Sequence, residues 1–422
     1  MTAETGEGAS MKPYEYPKSS ELLARASKVI PGGIYGHFGP PPYVPVDAYP
    51  FYSDKAEGAH FWDVDGNRFI DYMCAYGPMI LGYANPVVDA AYKAQMEKSD
   101  TNTVCSPRMV ELAELLVDMI PAADWAFFAK NGADMTNLAV MTARAATGRK
   151  KIIAMKGGYH GTTPWMQGPG HHGLTDDDLN HIIRISWNDT LALERVIAQH
   201  PNDIAGFIAT PFHHPIFTDS ELPAPGYWQR VQDILKKHGI VFIIDDVRAG
   251  FRVNLGGSCE QYGFKPDLIA FCKAIGNGYP ISALVGTDAL RNDVSKVFHT
   301  GSYWYSAGPM AAAIATLTEL RRIDGPKLLR ETGERLAMGL MDVARSHGYT
   351  IKVSGEPCMM YVRITDDPTL MLQQAWCGEC TRRGAFFTSH HNWFVSTAHT
   401  DADIAETLNI CDDAFKAVKK TV

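Results

Sequence analysis

Between about residues 107 and 310, short dense runs of apolar residues alternate with longer stretches of helical periodicity. The runs include "DWAFFAK", "KIIAM", "IAGFIAT", "VFIIDDV", "DLIAFCK" and "SALVGT". Strand-like runs alternating with helices predict an α/β fold with a mainly parallel sheet covered by helices. Upstream, "SSELLARASKVI" predicts a short helix stopped by "PGG". "GHFGPPPYVPVDAYP" reads as a proline-rich loop, and "GAHFWDVDGNRFIDY" as a hairpin turning at "DVDGN". Downstream, "AGPMAAAIATLTELRRI" predicts a long helix that leads into a mixture of helices and short strands. The expected organisation is an N-terminal arm and joining segment over 1–70, a large domain over 71–310 and a smaller α+β domain over 311–422.

A chain of 422 residues is long for a single core, which supports that division. Hydrophobic content of 46% with 20% charged residues fits a globular protein of enzyme size. The net charge of −8, without a basic block, argues against nucleic acid or an anionic membrane as partner. The opening "MTAETGEGAS" lacks the pattern of a signal peptide. No run approaches the roughly 18 apolar residues of a membrane span. The eight scattered cysteines suggest reduced thiols and a cytoplasmic location. Cys377 and Cys380 form one CxxC without a second pair, so no metal site is expected.

The chemistry concentrates at the ends of two apolar runs. One ends in Asp245 and Asp246, the other in Lys273. In a parallel sheet, ligands sit beyond the carboxyl ends of the strands. A lysine placed there loses water, and its pKa falls towards the neutral, nucleophilic amine that imine chemistry needs. A carboxylate nearby suits a cofactor with a protonated ring nitrogen, and pyridoxal 5′-phosphate (PLP) has both needs. Taken alone, each residue has a plain reading: Lys273 reaching to solvent, Asp245 capping a loop.

Three further stretches add to the pair. "FFAKNGADMTNLAVMTARAATG" reads as strand, glycine turn and helix, with the N–H groups of Asn131, Gly132 and Ala133 aimed at an anion. "MKGGYHGTTP" sets Tyr159 and His160 in a glycine-flanked loop, where an aromatic ring can stack on a flat cofactor. "FHTGSYWYSAGP" offers the Thr300 and Ser302 hydroxyls to a phosphate, in this subunit or its neighbour.

With these residues in view, the chain resembles the class III, fold-type I PLP aminotransferases, nearest in pattern to the glutamate-1-semialdehyde aminomutase branch. "LLARASKVIPGG", "GPMILGYANP", "GGYHG", "PDLIAFCKAIGNGYP" and "FVSTAHT" follow in the family's order from about residue 20 to the C-terminus. The resemblance implies that Lys273 carries the cofactor as an imine and shuttles the substrate proton. It implies that Asp245 pairs with the pyridine nitrogen and that Val247 and Tyr159 cover the two ring faces. It implies that Asn131, Gly132 and Ala133 hold the phosphate, helped by Ser302 of a partner subunit at a homodimer interface.

The sequence also departs from the family. "NGAD" stands where Ser-Gly-Thr-Glu is usual, and Thr210 in "ATPFHHP" stands where a glutamate is usual. No arginine follows "PGG", and none occurs in "FFTSHHNWFVS", the two usual places for gripping a substrate carboxylate. The expected donor is therefore an amine with a long or bulky substituent, bound by Tyr35, His37, Phe38, Tyr76 and Trp393. The expected acceptor is a keto acid such as pyruvate, its carboxylate held by Arg248, Arg252, His390 or His391. The rival readings are a PLP-dependent aminomutase or racemase, and a non-catalytic PLP-fold binding protein.

Overall fold

The computed structural model describes residues 11–36 and 47–418. β1 (Ser53–Glu57), β2 (His60–Asp63) and β3 (Arg68–Asp71) form an antiparallel meander. The predicted turn falls between β2 and β3, where the Asp63 carboxylate accepts the N–H groups of Asp65 and Asn67.

The large sheet has seven strands. They are β4 (Trp125–Ala129), β5 (Lys151–Met155), β6 (Ile182–Ile185), β7 (Ile204–Ala209), β8 (Val241–Asp245), β9 (Leu268–Phe271) and β10 (Ser282–Gly286). Their order is β4-β10-β9-β8-β7-β5-β6. All neighbours run parallel except around β10, which is antiparallel to both β4 and β9. The mainly parallel sheet expected from the sequence is therefore present, with one reversed strand.

β7 to β10 are buried at every position, because helices cover both faces. Alternate residues feed two cores. Ile152, Ile208 and Ile243 pack on the side of the helix Gly132–Thr147, and Ile153, Phe207 and Ile244 on the other. Gly206 permits the close approach of that helix, since a Cβ there would stand 3.2 Å from the Ala143 methyl.

Beyond the long helix Ala307–Arg322 lie a hairpin of β11 (Ile351–Ser354) and β12 (Tyr361–Ile364), and the short β13 (Ala385–Phe386). The helices Gly325–Ser346, Met371–Thr381 and Asp401–Ala417 surround them. β13 pairs in parallel with β3, matching Ala385 to Ile70 and Phe386 to Asp71. The chain before residue 71 is thereby joined to its C-terminal part. No helix among the described residues is long and apolar enough to cross a membrane.

Candidate active site

A cavity of about 340 Å³ opens where five strands end. β4 supplies Asn131, Gly132 and Ala133, and the loop after β5 supplies Tyr159, His160, Gly161 and Thr162. Thr210 and His214 follow β7. Asp245 ends β8 and is followed by Val247 and Arg248, while Cys272 and Lys273 follow β9. These are carboxyl ends of parallel strands, where such sheets bind ligands.

Asp245 is buried and firmly held. Its Oδ2 accepts from His160 Nδ1 at 2.7 Å, and its Oδ1 accepts the Val247 N–H at 3.1 Å. His160 is fixed in turn, because its carbonyl accepts the Thr136 hydroxyl at 2.7 Å. Asp246 points elsewhere. It accepts the N–H and hydroxyl of Ser258, and burial raises its pKa to about 7. Of the carboxylate pair, only Asp245 serves the cavity.

Lys273 Nζ donates to the Tyr76 carbonyl at 2.9 Å. Loss of solvent, followed by the positive charge of Arg248, brings its pKa down to about 7. The shift favours the neutral amine that imine chemistry needs. Lys273 itself has φ +47°, and Cys74, Ala75 and Tyr76 form a consecutive left-handed run at +46°, +53° and +63°. Non-glycine residues adopt this region at a cost, and such outliers gather at functional sites. Here the run delivers a backbone acceptor to the lysine. The "CAY" sequence carries no signal of it.

The turn expected to hold a phosphate differs from that expectation in one respect. The Asn131 N–H donates to Asp134 Oδ2 at 2.8 Å, as part of a capping box, and is not available to a ligand. Asn131 caps the helix Gly132–Thr147; the first-turn N–H groups of Gly132 and Ala133 have no main-chain acceptor among the described residues, and that of Gly132 is directed at the Cys272 sulfur. A Cβ at Gly132 would stand 2.9 Å from a Val247 methyl, so glycine keeps that end open. Thr210 turns its hydroxyl back to the Phe212 carbonyl at 2.8 Å.

The expected substrate-side aromatics are not gathered here. Trp393 is 1% exposed, stacks on Phe387 at 3.9 Å between centroids, and donates its indole N–H to the Thr388 carbonyl. It belongs to the core around Trp376, not to the cavity, because its only polar atom is satisfied by the local turn. Trp393→Ala is expected to cost about 3–5 kcal/mol of stability, as for other large core deletions. Denaturant unfolding checks this, and a loss below about 1 kcal/mol would contradict core packing.

Tyr76 presents its ring edge-on to His391 and lines a neighbouring cavity of about 210 Å³. Tyr35 is 82% exposed and lines neither cavity. His37 and Phe38 lie outside the described residues. Ser302 is exposed and does not line its own chain's cavity. Of the four candidate carboxylate grips, Arg248 alone lines the cavity of about 340 Å³. Arg252 instead donates to the carbonyls of Gly77 and Val395, stapling distant segments together. Among the described residues, no cluster of three or more His, Cys, Asp or Glu could hold a metal ion.

Comparison with known proteins identifies the family. The family model "Aminotransferase class-III" matches residues 43–415. The aminopentol aminotransferase of Sphingopyxis macrogoltabida is 41% identical over 401 residues, covering 95% of this chain and 94% of that protein. A glutamate-1-semialdehyde 2,1-aminomutase of Desulfitobacterium hafniense is 30% identical, covering 96% and 99%. The structure of the PLP internal aldimine form of the FumI protein of Sphingopyxis sp. MTA144 superposes with a TM-score of 0.92 at 42% identity, covering 95% of this chain and 96% of that one.

Proposed function

This chain belongs to the class III aminotransferases, PLP-dependent enzymes of fold type I, and from that premise we propose that it moves the amino group of a long-chain polyol amine to a keto acid such as pyruvate. The residues present fit the cofactor. The first-turn N–H groups of Gly132 and Ala133 lie at one end of the cavity, where a glycine is sterically required. The buried Asp245 carboxylate and the Lys273 amine border the same space. The His160 Nε2 is buried without a partner among the described residues, a polar atom left for a bound group.

When bound, PLP supplies a carbonyl for imine exchange and a protonated ring that accepts an electron pair. Lys273 Nζ would hold the cofactor's carbonyl carbon and, once free, would serve as the base for the proton on the substrate carbon. The Tyr76 carbonyl holds that amine in place between the two tasks. Asp245 would pair with the ring nitrogen, and His160 fixes the direction of its carboxylate. Val247 and Tyr159 would cover the ring's two faces, and the N–H groups of Gly132 and Ala133 would hold the phosphate. Ser302 would reach the phosphate held by a partner subunit, so that the working unit would be a homodimer, acting in the cytoplasm. The two substrates follow each other in a ping-pong order, the ketone leaving before the keto acid enters.

The observation that carries the reaction is the pairing of a water-stripped Lys273 with the Asp245–His160 pair in one cavity. The substrate is proposed from the aminopentol aminotransferase relative. Aminopentol, the polyol amine left when fumonisin is hydrolysed, is the proposed donor, and the role is fumonisin detoxification. The test is visible absorbance of the holoenzyme, titrated with aminopentol and then with pyruvate. The cofactor band is expected to fall with the amine and return with the keto acid. A band that ignores aminopentol but responds to other amines rejects this substrate and keeps the reaction. Turnover that needs no acceptor makes the protein an isomerase instead.

A further inference from the structure

Arg248 is 92% buried by its 8% exposure, yet it lies on the wall of the cavity. It also borders an adjoining cavity of about 160 Å³, which shares Tyr159, Thr210 and His214 with the first. Its Nη1 donates to His214 Nδ1 at 3.0 Å, to the His214 carbonyl at 3.2 Å and to Asn392 Oδ1 at 3.2 Å. Asn392 is anchored behind it, donating to the Ser220 hydroxyl at 3.0 Å. All three acceptors are uncharged. Burial and the neighbouring guanidinium hold the His214 pKa well below its ordinary value, so this ring stays neutral.

The opposite edge of the guanidinium is unused. Nε and Nη2 donate to no atom of the described residues. Asp245, the carboxylate whose charge Arg248 feels most, is already engaged by His160 and Val247. A buried cation without an anion is costly, and a buried donor without an acceptor adds to the cost. Nε and Nη2 are parallel donors spaced for the two oxygens of one carboxylate. With Nη1 held by His214 and Asn392, the guanidinium is fixed in a side chain that lines both cavities.

We propose that Arg248 is the acceptor-specificity residue, its free Nε–Nη2 edge binding the carboxylate of the keto acid. This rests on the transaminase reading above and identifies how a chain without an arginine in the two usual places selects an acidic acceptor. His214 and Asn392 are positioning residues, holding the guanidinium at its Nη1 corner. The amine donor, which has no carboxylate, does not need the fork.

The test compares holoenzyme with Arg248→Met and Arg248→Lys, using pyruvate and propanal as acceptors. Propanal offers a reacting carbonyl without the carboxylate. The wild-type preference for pyruvate is expected to fall by about 100-fold or more in Arg248→Met, because kcat/KM drops for pyruvate and not for propanal. Arg248→Lys is expected to lose about tenfold, retaining the charge without the fork. Calorimetric binding of propionate, an unreactive carboxylate, is expected in the wild-type holoenzyme and not in Arg248→Met. If Arg248→Met does not fold, Arg248→Lys decides by the same ratio.

An unchanged pyruvate-to-propanal ratio, or propionate binding that survives the substitution, overturns the proposal. So does an equal loss with both acceptors and with the amine half-reaction, which assigns Arg248 to the cofactor. A wild-type enzyme that uses neither acceptor sinks the transaminase reading separately, and the propionate arm then still decides the anion site.

Discussion

Lys273→Ala is expected to lower turnover by about 10,000-fold, at the upper end of what removing a proton-transfer group costs. Two functions leave with the side chain: the amine that releases the cofactor and the base that moves the substrate proton. The Tyr76 carbonyl then loses its donor, but the strained backbone around residues 74–76 is held by other contacts, such as the Met73 N–H on Asp71 at 2.8 Å. The protein should therefore fold and retain PLP through the helix terminus and Asp245. Added amine should still change the visible absorbance of the bound cofactor, although the reaction stops there. Steady-state assay and absorbance together check this. Turnover within tenfold of wild type would remove Lys273 from the mechanism.

Asp245→Asn is expected to slow the amine half-reaction by roughly 100- to 1000-fold, the range for losing one electrostatic group at a reacting centre. The asparagine oxygen can still accept the Val247 N–H, which bonds Oδ1 at 3.1 Å. The negative charge is gone, however, and the new NH₂ faces His160 Nδ1 unless that ring changes tautomer. Stopped-flow absorbance reads the rate, and a melting temperature confirms folding. A change of less than tenfold would mean that the ring nitrogen does not depend on this carboxylate.

Much of this architecture is legible in the chain. The apolar runs that form β7 to β10 stand out because both faces of each are buried, and β4 and β5 because they too are almost wholly apolar, leaving few polar interruptions. β6 is less visible, since its edge position leaves most of it half-buried and mixes Arg184 into the strand. The reversal of β10 has no local signal, because a strand's direction depends on how the chain returns and not on its side chains.

The site divides along the same line. Lys273, Asp245 and the Gly132 turn are readable because reactive residues at the ends of buried strands have few structural reasons to be there. Their meeting then follows from the parallel sheet, which sends all these ends to one side. Which neighbour takes part is decided only in three dimensions. Asp245 faces the cavity and Asp246 the Ser258 turn, because successive side chains at a strand end leave on opposite sides. Arg248 reaches the cavity while Arg252 is drawn to the carbonyls of Gly77 and Val395, from segments far away in the chain. Trp393 is taken into the core by Phe387 and Trp376, and the Asn131 N–H is taken by the Asp134 cap. The residue types and their order determined a lysine–carboxylate site at the edge of a parallel sheet. The competition of distant partners for each polar atom, which only the packed chain resolves, decided which side chains remain free to act there.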